Sequence, residues 1–366
     1  MTIKSTDSTG FQYGYFKNLD TLRWLAFLGV FLSHTILFKV DNKIVDHIIV
    51  ASTFDYLSVP FFFSLSSFLI TFNLLSEKKR NGDIQLFQFY KNRALRIWPL
   101  YFGLVIIGFF LIPGICNLLH ISPPTLPTLL PFLFFYVNYH IIEHGLYFTF
   151  ILLILWSISI EEQFYIFWGS VLKTIPLKAV LVTILSLFSI SIIYSYYNLS
   201  NHFLVIDTIF VLQNFCMGAI VAWLAVCNSK LMAQVQKMPS SIFLIPYIIL
   251  PIAYIAIDND LAENIIKSFC YAGILYDQTL NEKRIFNFGK FAFGSYLGKI
   301  SYGLYIYHAL VIEILSKTFH FFNAKNMNPT TNIFQILIAL TITIIMAHFS
   351  YQYVEKRFLA LKTHRS

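Results

Sequence analysis

Long apolar runs separated by short polar stretches fill the chain, at roughly residues 20–38, 54–75, 95–113, 147–171, 175–195, 203–227, 241–257, 262–280, 292–316 and 332–354. Each is close to the ~20 residues that a helix needs to cross a bilayer, the seventh and eighth being marginal. The pattern predicts an all-α, polytopic membrane helix bundle of about ten transmembrane helices. Polar tails at 1–19 and 359–366 frame a single membrane domain, 20–358. One further run, 129–141, is too short to span. It starts at the end of the proline-rich "SPPTLPTLLP" and finishes near Asn138 and His140, so a re-entrant or interfacial segment is expected there. No internal repeat, low-complexity tract or interdomain linker interrupts the series.

Composition sharpens this picture. The chain is 57% hydrophobic and 12% charged, with a mean hydropathy of +0.67. Soluble domains are typically about 45–50% apolar and about 25% charged, so a large soluble module is excluded. The first run is not expected to be a cleaved signal peptide, because a polar tail precedes it and no small-residue cleavage site follows. A net charge of +8 could suggest nucleic acid, but the basic residues fall between apolar runs, where they report topology instead. With ten spans and both termini cytoplasmic, every Lys and Arg except Lys39, Lys43, Lys267, Lys317 and Lys325 lies inside. A spanning 129–141 would move every later loop across and put the majority outside. The acidic loop "DNDLAE" (258–263) then faces out. Cys116, Cys216, Cys227 and Cys270 form no CxxC and are expected as free thiols, with neither a disulfide nor a metal.

Ionisable groups inside such runs need a reason, since each costs about 2.5–3.5 kcal/mol at the bilayer centre. "RWLAFLGVFLSH" begins at Arg23 and ends at His34. Eleven helical steps place both on nearly one face, roughly 16 Å apart along the axis. "LWSISIEEQFYIFW" sets Glu161 and Glu162 in the middle of a run. Ser157, Glu161 and Tyr165 form one polar stripe at i, i+4, i+8, with Glu162 to one side and Gln163 beyond. Almost no Lys or Arg is expected at that depth, so at least one carboxyl should be protonated or line a wet cavity. In "FYKNRALRIWPLYF", Arg93 and Arg96 share a face at the cytoplasmic start of the third run. Two guanidiniums beside unpaired helix N–H groups would make a phosphate site, although simple cytoplasmic anchoring also explains an arginine there. "GKISYGLYIYHALVIE" aligns Ser301, Tyr305 and His308 at a 3.6 period, suited to lining a cavity or to packing. Glu355, at the inner end of the last run, is expected to pair with a cytoplasmic Arg or Lys.

Taken together, these motifs resemble those of the acyltransferase family 3 integral membrane proteins. "NLDTLRWLAFLGVFLSH" resembles the family's first helix with its Arg-x10-His pattern, here Arg23 and His34. "VPFFFSLSSFLITF" resembles the second helix. "NRALRIWPLYF" resembles R-x-x-R-x-x-P, carried onto Arg93, Arg96 and Pro99. "LWSISIEEQFYIFW" resembles W-S-x-x-x-E-E-Q-F-Y, and "KISYGLYIYHALVI" resembles S-Y-x-x-Y-x-x-H. The likeness covers about residues 18–358. Ser67 stands where the family usually has Gly, no Trp-Pro follows His308, and the end reads Glu-Lys-Arg-Phe rather than Glu-Arg-Pro-Phe. These departures bear on substrate shape more than on chemistry. The hydrolase-like extracytoplasmic domain of some relatives is not expected.

The resemblance implies a multi-pass enzyme of the bacterial cytoplasmic (inner) membrane. It would move an acyl group, acetyl above all, from acyl-CoA to a hydroxyl of a surface carbohydrate or its lipid-linked precursor. Acetyl-CoA would be a donor substrate, with no permanently bound cofactor, no metal and no nucleic acid. Arg93 and Arg96 would hold donor phosphates, with Arg23 at the same inner mouth. His34 would act as base, helped by Glu161 or Glu162, or would itself carry the acyl group. Ser157, Tyr165, Ser301, Tyr305 and His308 would line the cavity. The rival from another class is a proton-coupled transporter using the buried His and Glu groups. No matching pair of Gly/Pro-broken helices supports it.

Overall fold

Helices form where the apolar runs lie, in a computed structural model that describes residues 16–35, 55–201, 203–323 and 329–362. The chain opens with α1 (Lys17–His34), α2 (Asp55–Asn81) and α3 (Leu86–Ile106), the last continuing through a π-helical turn to Leu118. Two short helices follow, α4 (Leu130–Leu133) and α5 (Val137–His144). Then come α6 (Leu155–Thr174), α7 (Val180–Tyr197), α8 (Thr208–Cys227), α9 (Ile245–Ala256) and α10 (Asp260–Thr279). The last long elements are α11 (Ala292–Lys299), α12 (Ser301–Asn323) and α13 (Pro329–Ser350). No strand occurs among the described residues. Most of the N-terminal tail, the end of the first apolar run with Lys39 and Lys43, and Lys325 lie outside them, as do residues 363–366 of the C-terminal tail.

Among the described residues, six helices are long and apolar enough to cross a membrane. A seventh counts if Ser229–Val235 and Ser240–Ala256, bent by 90°, form one span. The other runs read as spans are helical too, but charged or broken. α1 has 18 residues and carries Lys17, Asp20 and Arg23. α10 carries Asp260, Glu263, Lys267 and Asp277, with the buried Lys267 lying 3.0 Å from Glu263. α11 stops at Lys299 and α12 resumes at Ser301.

The segment 129–141 does not form one helix. Phe135, between α4 and α5, adopts a φ of 55°, which no continuing helix allows. Its carbonyl accepts from Gln163 Nε2 at 2.7 Å, and Asn138 Oδ1 accepts from the same amide at 2.9 Å. Thr208 Oγ1 donates to Gln163 Oε1 at 2.7 Å, so the break is tied to both α6 and α8.

A very close helix pairing joins α2 to α8. A Cβ built on Gly218 would lie 2.0 Å from the Ser64 carbonyl oxygen, so only glycine permits this approach. Ser64 Oγ donates to Asn214 O at 2.8 Å and Ser67 Oγ to Phe215 O at 2.6 Å. Ser67 therefore works as a buried clasp between helices. Stacked rings extend the contact from Phe63 through Phe215 and Phe164 to Trp168, which bonds Thr71 at 2.8 Å. This chain of contacts holds α6 against α2. All four cysteines are free thiols.

Candidate active site

Five helices that are remote in sequence enclose one cavity of about 110 Å³. α1 brings Arg23, α2 brings Phe62 and Ser66, and α3 brings Arg93 and Arg96. α6 contributes Ser157, Glu161 and Tyr165; α12 contributes Ser301, Tyr302 and Tyr305. The helical spacings expected from the sequence thus point to a common space. Three expected site residues, His34, Glu162 and His308, are not among the residues that line it.

Glu161 is the acid that faces the cavity. One carboxylate oxygen accepts from Ser66 Oγ at 3.1 Å, and the other from the Tyr165 hydroxyl. Arg93 lies 5.3 Å from the centre of the Tyr165 ring and 5.8 Å from that of Phe89, within cation–π reach of both. The expectation that no basic group comes near these acids is therefore corrected: the long Arg93 side chain shares the cavity with Glu161. A second correction concerns the helix start. α3 begins at Leu86, about two turns before Arg93, so both arginines lie where backbone N–H groups are already paired. Any phosphate held there would be held by the guanidiniums themselves.

Glu162, about 100° around α6, sees a different environment. One oxygen accepts from Trp98 Nε1 at 3.4 Å; the other is buried without a hydrogen-bond partner. Neither glutamate bonds His34, contrary to the support expected from them. His34 Nδ1 instead lies 2.9 Å from His308 Nε2, and the two rings are nearly parallel, at 10°. His308 Nδ1 in turn faces the backbone carbonyl of Tyr305, one turn earlier in α12. Phe150 stands edge-on 4.8 Å from His34, and Phe27 packs 5.9 Å from His308. Tyr305 links the pair to the cavity. Its backbone holds His308, while its hydroxyl shares a 2.6 Å hydrogen bond with Ser157 and donates to Ile154 O at 3.1 Å.

Positive charge gathers at the other end. Arg23 bonds Asp20 at 2.6 Å, and Arg96 is exposed. Glu355, turned by the π-helical stretch Tyr351–Glu355, packs beside Gly303 within electrostatic reach of Arg96. Its expected ion pair does not form: no cation lies within salt-bridge distance among the described residues, and Oε1 lacks a hydrogen-bond partner. Lys362, beyond the last helix, lies close enough to Arg96 and Arg93 to feel both charges. Burial, with that repulsion, pushes its ammonium down to about 7. Ser66, Tyr302 and Lys362 are the site residues that sequence reasoning missed. Ser66 sits in an apolar stretch with no polar period, and Lys362 in a tail that reads as topology. The described residues hold no group of three or more His, Cys, Asp or Glu placed to share a metal ion.

The chain is 28% identical over 374 residues to "Putative O-acetyltransferase SACOL0978" of Staphylococcus aureus strain COL, covering 94% of this chain and 57% of the relative. It is 25% identical over 376 residues to "O-acetyltransferase OatA" of S. aureus strain NCTC 8325 / PS 47, covering 93% of this chain and 57% of the relative. The chain therefore spans a little over half the length of these curated relatives. No solved structure matches it. The family model described as "Acyltransferase domain" matches residues 16–348. That match takes in every helix lining the cavity, and the chain belongs to the acyltransferase family 3 of integral membrane proteins.

Proposed function

We propose that this protein is a membrane O-acetyltransferase that takes acetyl from acyl-CoA on the cytoplasmic side and esterifies a hydroxyl of a cell-surface carbohydrate or its lipid-linked precursor. On this reading the chain crosses the bacterial cytoplasmic membrane ten times with both termini in the cytoplasm, a topology that the distribution of Lys and Arg supports. The observation that carries the reading is one cavity lined both by Arg23, Arg93 and Arg96 and by Ser157 and Tyr305. Guanidiniums suit the diphosphate and phosphate of coenzyme A, and the largely apolar space beyond them, with a few polar side chains, suits its thin pantetheine arm. The cavity's 110 Å³ is comparable to the ~150 Å³ that accommodates benzene, which leaves room for an acetyl thioester.

His34, which does not line the donor cavity but is partly exposed, acts as the base. It takes the proton of the acceptor hydroxyl as the oxygen attacks the thioester carbonyl, the C–S bond breaks, and the departing thiolate takes that proton back. Such positioned proton transfer contributes about 10²–10⁴-fold. Glu161 and Tyr165 keep Arg93 in the cavity, between the phosphate mouth and the reacting end.

The test is binding and turnover of acetyl-CoA by purified protein in detergent, beside the Arg93→Ala/Arg96→Ala variant. Saturable binding that weakens at least about tenfold in the variant is expected, each charge-assisted contact being worth about 1.5–3 kcal/mol. Equal affinity in both proteins rejects the donor site. No binding by folded wild type rejects the enzyme reading and favours the transporter.

A further inference from the structure

We infer that His308 is a positioning residue that fixes the tautomer of His34, leaving His34 Nε2 as the atom that accepts the proton. The inference rests on the reading of His34 as base, and begins from an atom that can play only one role. The Tyr305 carbonyl oxygen is an acceptor, so His308 Nδ1, which faces it, must carry hydrogen. A neutral imidazole with hydrogen on Nδ1 has a bare Nε2. That bare nitrogen lies 2.9 Å from His34 Nδ1, and a hydrogen bond there requires hydrogen on His34 Nδ1. His34, neutral in its turn, is left with its lone pair on Nε2.

The surroundings favour neutral rings. Phe27 and Phe150 pack edge-on against the pair, and neither Glu161 nor Glu162 bonds either ring. His308 is fully buried, and a cation there, with no carboxylate bonded to it among the described residues, would cost several kcal/mol. The anchor is local and stiff: His308 bonds the carbonyl three residues back in its own helix. The same tyrosine presents its hydroxyl to Ser157 at the cavity wall. One turn of α12 thus sets both the wall of the cavity and the proton state of the base. The logic is that of a carboxylate orienting a catalytic histidine, with a second imidazole in the carboxylate's place.

Two measurements test this. In the first, wild type labelled with ¹⁵N-histidine is examined by solid-state NMR in lipid, the His34 signals being identified by their loss in His34→Gln. A protonated Nδ1 and bare Nε2 are expected; a bare Nδ1 with hydrogen on Nε2 overturns the inference whatever the enzyme's substrate proves to be. The second is acetyl-transfer kinetics. His308→Ala should lower kcat by about 10²-fold or more, while KM for acetyl-CoA stays within about twofold. His308→Gln, whose side-chain oxygen can accept from His34 Nδ1, should recover at least about tenfold of the loss. An unchanged kcat in folded His308→Ala refutes the positioning role. Wild-type turnover retained in His34→Gln refutes instead the reading of His34 as base, while the NMR result stands independently.

Discussion

Replacing Gly218 by alanine should damage the active site from the far side of α2. The added Cβ would meet the Ser64 carbonyl oxygen at 2.0 Å, its carbon at 2.8 Å and Phe68 N at 3.1 Å. All three are backbone atoms, so no rotamer change relieves the clash. Real Cβ contacts essentially never fall under 3.0 Å, so α2 and α8 must part by about 1 Å. Ser66 lies between Ser64 and Phe68 on the displaced stretch. Its bond to Glu161 is 3.1 Å, and a shift of ~1 Å, whether it compresses or stretches that bond, takes it out of hydrogen-bond geometry. The clasps from Ser64 and Ser67 to α8 stretch together with it. Overpacking of this kind costs about 1–3 kcal/mol, and a 1 Å displacement near the chemistry costs about 10²-fold in rate. The assay is acetyl transfer together with thermal unfolding in detergent. The control is Gly103→Ala, since a Cβ at Gly103 on α3 meets nothing within 4 Å. Gly103→Ala should keep wild-type activity and melting temperature, whereas Gly218→Ala should lose both. Indistinguishable behaviour of the two variants would refute the claim that this backbone contact holds Ser66 in place.

Glu161→Gln removes the negative charge that shares the cavity with Arg93, and Ser66 or Tyr165, which both donate to the carboxylate, must turn its hydroxyl to accept from the new amide. Turnover should fall about 10- to 100-fold with helix content unchanged, and full activity by the variant would remove Glu161 from the site. Lys362, held down to about 7 by burial and by Arg96 and Arg93, loses its charge as pH rises through that value. Both arginines stay charged, so losing the Lys362 charge should weaken acetyl-CoA affinity above about pH 7 and strengthen it below. Lys362→Arg keeps its charge throughout and should flatten the profile in a calorimetric titration from about pH 6 to pH 9; an unaltered slope excludes Lys362 from donor binding.

Much of this protein was legible before any packing was known. Apolar runs near bilayer length dictate helices because lipid forbids unpaired backbone, and the α-helical repeat alone puts Ser157, Glu161 and Tyr165 on one stripe and Arg23 in register with His34. That repeat acts within a helix and says nothing about which helix lies opposite. Packing supplied the Ser66 contact to Glu161 and the descent of Arg93 into the cavity. It also brought His34 against His308, 274 residues away. It decided which of two adjacent glutamates faces the cavity, and it moved the start of α3 back to Leu86. The physical reason is visible at Gly218. A missing side chain lets two backbones touch, and that contact between segments about 150 residues apart orients the polar faces that the sequence had already drawn.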